Sequence, residues 1–521
     1  MQRPASYEQM ANAFSWALPA RLNMAAQVCD DWADRAPDRT AIIDLTADRR
    51  DVSFAQLRRL SDALAHHLQH QGVQPGDRVG VLMSQSVWCA VAHIAIWKLA
   101  AVSVPLFKLF REEALTTRVR DAGLSIALTD EDGVQMLSAL PEVVPLVPAR
   151  MALEHRRFET AATRPEDPAI LIYTSGTTGR AKGALHGHRV LSGHLPGVQM
   201  FAGFPDVRDD VFWTPADWAW IGGLFNVAMA SLAMGCPVVA ARMPKFSVEG
   251  CRAIVAEAAV TRVFFPPTVL RMIRAEGATI SGLRAIGSGG EPLGAEMMDW
   301  GRQAFGLTIN EFYGQTECNL VAASCADLFE PRPGCIGRQV PGHTVAVLDA
   351  SGQPSSGEGD VAVRRGSASM MLCYWNRPEA TQEKFSGDWM LTGDRGRWEG
   401  DYLRFVGRED DVITSAGYRI GPSEVEDCLL THEAVATVGV VGKPDPLRTE
   451  IVKAYVVPAP GTVADAALAV DLQNHVKARL ASYSYPREIE FLDALPMTVT
   501  GKVIRKELKA RAAQDRQGAL P

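Results

Sequence analysis

The chain has 521 residues, 47% of them apolar and 22% charged, a balance that excludes a disordered chain, a coiled coil and a collagen. A single hydrophobic core stops growing near ~250–300 residues, so at least two domains are expected. Lys plus Arg number 53 against 60 Asp plus Glu, a net charge of −7, which offers no bulk positive field for nucleic acid or an anionic membrane.

The opening MQRPASYEQMANAFSW has no apolar run of the kind a secretory leader needs, so a cytoplasmic protein is expected. Residues 53–71 repeat apolar side chains at three- and four-residue spacing, which predicts an amphipathic helix with Ser53 as N-cap and Gly72 as stop. His66, His67 and His70 then mark its solvated face. A strand, RVGVLM, leads into a helix over 86–100 and a second strand, AVSVPL. Val87–Leu106 is the best membrane candidate, but His93, Lys98 and Pro105 interrupt it, and a span needs ~20 apolar residues. A buried helix running into a strand is expected instead, with no integral membrane segment.

Helix–strand alternation recurs at AIVAEAAV–TRVFFPP and at LRAIGSGG, the rhythm of parallel sheets covered by helices. After about residue 335, short strands joined by Gly, Ser and Pro turns predict a β-rich subdomain. The last portion alternates SEVEDCLLTH, ATVGVVG, IVKAYVVP, LAVDLQNHVKARLA and EIEFLD. It reads as a small α+β domain beyond a charged loop near Arg408–Asp411. The chain is therefore expected to be α/β, with a large domain over 1–407 and a small C-terminal one over 408–521. Its nine cysteines are scattered without a C-x-x-C, the usage of buried thiols in a reducing compartment rather than of a disulfide frame.

Five segments carry chemical interest. ILIYTSGTTGRAKGALH runs an apolar strand into a loop of Thr174, Ser175, Gly176, Thr177, Thr178 and Gly179 followed by Lys182. Glycines let backbone N–H groups approach a phosphate, hydroxyls donate, and a lysine adds a cation. Composition alone fits a surface turn equally; the strand and Lys182 favour phosphate. The loop is neither a Walker A sequence nor a dinucleotide fingerprint. NEFYGQTE sets an aromatic pair beside Gly314 and a carboxylate at Glu317; rings stack on bases and carboxylates hold Mg²⁺ on phosphates, although a Tyr–Gly turn explains the segment as well. GSGGEPL is a Gly-rich turn able to lie under a planar ligand. Asp394 in LTGD and Arg408 in GREDD suit a ribose diol and phosphate oxygens, against the alternative of an ordinary surface ion pair. Lys502, in PMTVTGKVIRKEL, follows a Thr–Gly turn.

Together, and in this order, YTSGTTG…K, GEP, YGQTE, TGD, GR-x-DD…GYRI…E and TGK-x-x-R resemble the adenylate-forming superfamily over nearly the whole chain. YGQTE with GYRIGPSEVE, and YSYPREIEF, are most similar to medium-chain acyl-CoA synthetases. The resemblance implies that ATP activates a small-molecule carboxylic acid as acyl-AMP and that CoA then takes the acyl group, with an oligomer allowed. It implies that Thr174–Lys182 close over the β- and γ-phosphates and that Gly290, Glu291, Pro292, Glu311, Phe312, Tyr313, Gly314, Gln315 and Thr316 surround adenine and α-phosphate. Glu317 would hold Mg²⁺, Asp394 and Arg408 the ribose, Arg419 the adenylate phosphate. Lys502 and Thr316 would act with Glu317 at the reacting centre. The small domain would be mobile about Asp410, with Ala416, Gly417, Tyr418, Arg448, Lys477 and Tyr485 on CoA. One departure is Ala181 where the family's loops read Pro before Lys-Gly, which loosens the loop.

By the same resemblance Trp220, Ile221, Gly222, Gly289 and Gly314 line the acyl pocket. Its three glycines predict a wide slot with Trp218 and Trp220 on the rim, suited to medium-chain, branched or aromatic acids rather than acetate. A free-standing adenylation enzyme loading an amino or aryl acid on a carrier protein is the alternative, with Asp217 as its ammonium partner. A non-catalytic nucleotide-binding protein is disfavoured by the joint presence of Lys182, Glu317, Asp394, Arg408 and Lys502.

Overall fold

The structure, a computed structural model, describes residues 3–110, 112–174, 181–243, 245–408, 411–415, 418–445, 448–480, 484–498 and 502–514, without the side chains at 414, 418, 419 and 424. Among the described residues the chain forms four sheets. Thr40–Asp44, Val238–Ala240, Phe212–Trp213, Arg262–Phe264, Ala285–Gly289 and Ile309–Tyr313 lie side by side and parallel. Arg50–Ser53 closes one edge, and Ala322–Ala323 with Arg338–Gln339 the other, all antiparallel. In the second sheet Pro168–Thr174, Val102–Pro105, Arg78–Leu82, Ile126–Thr129 and Val144–Leu146 run parallel. The antiparallel strands Lys182–Gly187 and Cys373–Tyr374 extend it.

The expected helices form for the expected reasons. Ser53 caps Phe54–His70 in a full capping box with Gln56, and Gly72 leaves the helix at φ +88. Val87–Lys98 is buried on every side because it is sandwiched: one core cluster joins it to strands of both sheets. Trp97 is fully buried there and donates its indole N–H to the Ala169 carbonyl at 2.9 Å. The same helix buries Lys98, whose ammonium lies 2.9 Å from Asp62 and also pairs with Asp30. No helix among the described residues is long and apolar enough to cross a membrane. Trp218 departs from expectation: it is fully buried in the main core, not on a rim.

The β-rich unit is antiparallel: Val345–Leu348, Gly359–Arg364, Trp389–Glu399 and Phe385–Ser386 in order, with Tyr402–Arg408 on Trp389–Glu399. Beyond it, Tyr418–Ile420, Ile413–Ser415, Thr449–Pro458 and Val435–Asp445 make a further antiparallel sheet, to which Glu488–Phe491 adds a parallel strand. Helices Pro422–Leu430 and Ala466–Arg479 cover its apolar face, where Val425, Val440, Val452, Leu472 and Val476 are buried together. The α/β architecture with a small α+β C-terminal part is as the sequence predicts.

Candidate active site

Chain topology brings the five motifs to one end of the sheets. Asp394 sits opposite Arg408 in antiparallel register. Its Oδ2 accepts the Tyr313 hydroxyl at 2.6 Å and the Gln315 amide at 3.2 Å, while its backbone N–H donates to Thr392 Oγ1 at 3.1 Å. Gln315 is fixed in turn: its amide donates to the Thr392 carbonyl at 3.0 Å, and its oxygen accepts the Lys384 ammonium at 2.9 Å. Burial pushes the Asp394 carboxyl up, opposed by the Tyr313 hydroxyl, Arg408, Lys384 and Lys502.

Thr174 and Lys182 are register partners across the hairpin Pro168–Thr174/Lys182–Gly187, and the Thr174 hydroxyl donates to the Lys182 carbonyl at 3.4 Å. The Lys182 ammonium stands 5.4 Å from the Tyr374 ring centroid and enters no ion pair among the described residues. On the same tyrosine, the hydroxyl donates to Glu317 Oε1. Glu317 is 8% exposed, and its carbonyl accepts the Met371 N–H at 2.8 Å. Burial and the Glu317 carboxylate hold the Tyr374 phenol well above its usual range. Ser175, Gly176, Thr177, Thr178 and Gly179 lie outside the described residues.

Between these groups runs the turn after Ala285–Gly289. Gly290 takes φ +93, a conformation that suits glycine, and a Cβ there would stand 3.1 Å from the Trp220 ring. Glu291 pairs with Arg271 and accepts the Thr268 hydroxyl at 3.4 Å. Glu311 does not turn toward a ligand: its carboxylate accepts the Leu293 N–H at 3.0 Å and so braces the turn that carries Pro292. Burial pushes its carboxyl up to about 8, against the Leu293 N–H and with help from Asp427. Phe312 closes the floor, its ring 5.1 Å from Phe264 and 4.8 Å from Phe201, and Thr316 lies half-buried beyond Gln315.

Lys502 enters this space from the far end of the chain. Its ammonium lies 6.0 Å from the Trp220 ring centroid. Burial lowers its pKa, while Glu291 and Asp394 raise it and Arg408 lowers it further. Arg505, three residues on, pairs with Glu426 and lies 4.0 Å from Asp411, which also takes Lys509 at 2.9 Å. Lys477 and Tyr485 meet, ammonium 4.1 Å from the ring centroid, and Arg487 stacks on the same ring at 5.0 Å. Arg448 stands apart on the hairpin before Thr449, its N–H on Asp445 at 2.8 Å. Asp410, Ala416 and Gly417, and the side chains of Tyr418 and Arg419, lie outside the described residues.

The wide slot expected from three glycines is not what those glycines provide. A Cβ on Gly314 would fall 2.3 Å from the Asn319 backbone, and one on Gly289 2.5 Å from the Phe312 ring. One on Gly222 would touch Trp220 at 3.0 Å and Phe264 at 3.1 Å. Each glycine is small because a neighbour already fills the space. Ile221 is 4% exposed and, like Phe264 and Phe312, belongs to the main core, which leaves Trp220 as the half-exposed aromatic ring at the site, backed by Phe264.

The family model of the AMP-binding enzymes matches residues 29–375, and that of their C-terminal domain matches residues 424–502. The chain belongs to the AMP-binding enzyme family. It is 31% identical to the acetyl-coenzyme A synthetase of Bacillus subtilis over 97% of this chain and 95% of that one. It is likewise 31% identical to the mitochondrial acyl-coenzyme A synthetase ACSM4 of Rattus norvegicus, over 94% and 91%. Among solved structures, the anthranilate CoA ligase AuaEII in complex with anthranoyl-AMP superposes with a TM-score of 0.87 at 26% identity, covering 96% of this chain and 99% of that one. These full-length relationships place the AMP-binding enzyme among the AMP-forming acid–thiol ligases. Two members of its site escaped the sequence reading. Lys384 and Tyr374 occur in no phosphate-like or carboxylate-like pattern, and only the pairing of Cys373–Tyr374 with Lys182–Gly187 brings Tyr374 under Lys182.

Proposed function

We propose that this enzyme joins a medium-chain, branched or aromatic carboxylic acid to ATP as acyl-AMP and then passes the acyl group to CoA. The observation that carries the reading is Lys502: a cation from beyond residue 408 stands half-buried beside Trp220, with Glu291, Asp394 and Arg408 as its charged neighbours. A carboxylate attacking the α-phosphorus crowds negative charge at one point, and a preorganised cation there lowers the barrier. Asp394, held by Tyr313 and Gln315, is an acceptor of fixed direction for ribose hydroxyls, with Arg408 beside it. Thr174 and Lys182 meet the outer phosphates. Glu317 suits Mg²⁺, since Mg²⁺ commonly uses one or two protein carboxylates plus phosphate oxygens and water; bound there, the ion would neutralise phosphate charge.

Residues 1–407 and 408–521 are then two bodies, hinged at Asp410, and turning the second would withdraw Lys502 and bring Ala416, Gly417 and Tyr418 to the site. Arg448, Lys477 and Tyr485 would hold CoA, and Arg419 the adenylate. The Trp220 ring, backed by Phe264, supports an apolar acyl group, in place of the argument from glycines. Asp217 gives the amino-acid alternative little support: its carboxylate accepts the Ala219 N–H at 2.8 Å and burial raises its pKa.

The test is AMP released with ATP, Mg²⁺ and CoA across straight, branched and aromatic acids. Each buried CH₂ contributes ~0.8 kcal/mol, roughly fourfold in kcat/KM per carbon up to the pocket's limit. Acetate as the best substrate would overturn the acid class. Pyrophosphate release with no thioester formed would overturn CoA as acceptor.

A further inference from the structure

We infer that Tyr374 is a positioning residue that keeps Lys182 and Glu317 apart and ready for Mg·ATP, an inference that rests on the reading of Lys182 and Glu317 as the phosphate and metal ligands. The two groups flank one side chain. The ammonium lies over the ring at 5.4 Å, and the hydroxyl donates to the Glu317 carboxylate. Neither enters an ion pair among the described residues, although they carry opposite charge at one site. An ammonium and a carboxylate ~4 Å apart attract by about 4 kcal/mol near a protein surface. Without an intervening group they would collapse onto each other and neutralise the charges that a nucleotide must meet.

Tyr374 offers each charge a different partner. Its ring face is negative and receives the cation. Its O–H stabilises the buried carboxylate, which otherwise lies desolvated at 8% exposure. One hydroxyl hydrogen occupies Oε1 only, so the second carboxylate oxygen stays available to a cation. The tyrosine itself is fixed from three sides. Its backbone pairs with Ala184, its N–H donates to Thr381 Oγ1 at 2.9 Å, and the next residue's N–H donates to the Gly183 carbonyl at 2.7 Å. Met371, in the same segment, donates to the Glu317 carbonyl at 2.8 Å. One short stretch of chain therefore sets both the backbone and the carboxylate of Glu317.

The experiment is calorimetric binding of ATP, with Mg²⁺ and with EDTA, to wild type, Tyr374→Phe, Tyr374→Leu and Glu317→Gln. Removing a hydrogen bond to a charged group shifts an equilibrium by about tenfold or more. Tyr374→Phe is expected to weaken Mg·ATP about tenfold and metal-free ATP by less than twofold, with KM for the acid unchanged. In the Glu317→Gln background, Tyr374→Phe should add nothing to the metal dependence. Tyr374→Leu also removes the ring, frees Lys182 to pair with Glu317, and should weaken both forms of ATP. Equal loss with and without Mg²⁺ in folded Tyr374→Phe, or an effect that persists undiminished in Glu317→Gln, would overturn the inference. A wild type that binds no ATP would instead overturn the functional reading beneath it.

Discussion

The two ends of the site differ in how far their charges are already matched. At the Asp394 end Tyr313, Gln315, Thr392 and Lys384 form one connected network around the carboxylate. At the Lys182 end a single tyrosine stands between a cation and an anion that enter no ion pair among the described residues. Matched charges fix geometry and contribute to the fold; unmatched charges cost folding energy and hold interaction in reserve for a ligand. The contrast suits a nucleotide whose ribose must be oriented and whose outer phosphates must be neutralised.

Lys502 reaches this site from the last part of the chain, and removing it gives the largest effect. Lys502→Ala should lower acyl-AMP formation ~10²–10³-fold, the scale of one transition-state donor. Preformed acyl-AMP with CoA should still give product at near the wild-type rate. Stopped-flow measurement of each half-reaction checks this, and equal losses in both would remove Lys502 from the first step.

Lys182→Ala and Asp394→Ala break the contrast directly. Each should weaken ATP binding roughly 10–100-fold, as loss of a charge-assisted contact does. Their thermal midpoints should diverge. Asp394→Ala strands the Tyr313 hydroxyl, at about 1–3 kcal/mol for a group left unsatisfied, and should melt several degrees lower. Lys182→Ala removes a cation that enters no ion pair among the described residues and should melt close to wild type. Equal melting shifts would abolish the distinction.

Gly314→Ala should destabilise by about 1–3 kcal/mol through overpacking on Asn319, measured by urea unfolding, and leave the preference among acids unchanged. Stability should also depend on pH. Glu311 rises from 4.5 to about 8 in the folded protein, so the native state binds more protons than the unfolded one between those values. Its contribution to stability therefore falls as pH climbs from about 4.5 through 8. Glu311→Gln keeps an oxygen for the Leu293 N–H and removes the ionisation. Its melting temperature should gain on wild type progressively up to pH 8 and then run parallel.

Much of this was legible from residue order. Local rules placed Ser53 as a cap and Val87–Lys98 as a buried helix, because capping and hydrophobic period act over a few residues. The motif residues Lys182, Glu291, Glu317, Asp394, Arg408 and Lys502 do converge. What the sequence could not convey was direction. Glu311 looked like a ligand and is turned to a backbone N–H. Gly314 looked like open space and abuts a carbonyl. Trp218 and Trp220 are two residues apart, yet one is buried in the core and the other faces Lys502. Tyr374 had no signal at all, since its role depends on a strand pairing nearly two hundred residues away.

The buried triad of Lys98, Asp30 and Asp62 bears on how the polypeptide is made. A lone ammonium in that core would be intolerable, so its two counter-ions must arrive no later than the helix that carries it. Both precede it in the chain. As the nascent protein leaves the ribosome, residues 30 and 62 have already emerged when residue 98 does, so both carboxylates are at hand for the ammonium, and Arg157 follows to offset the second of them at 3.8 Å from Asp62. The order of translation thus gives the growing chain counter-ions for the charge at the end of this helix before its apolar partners are made.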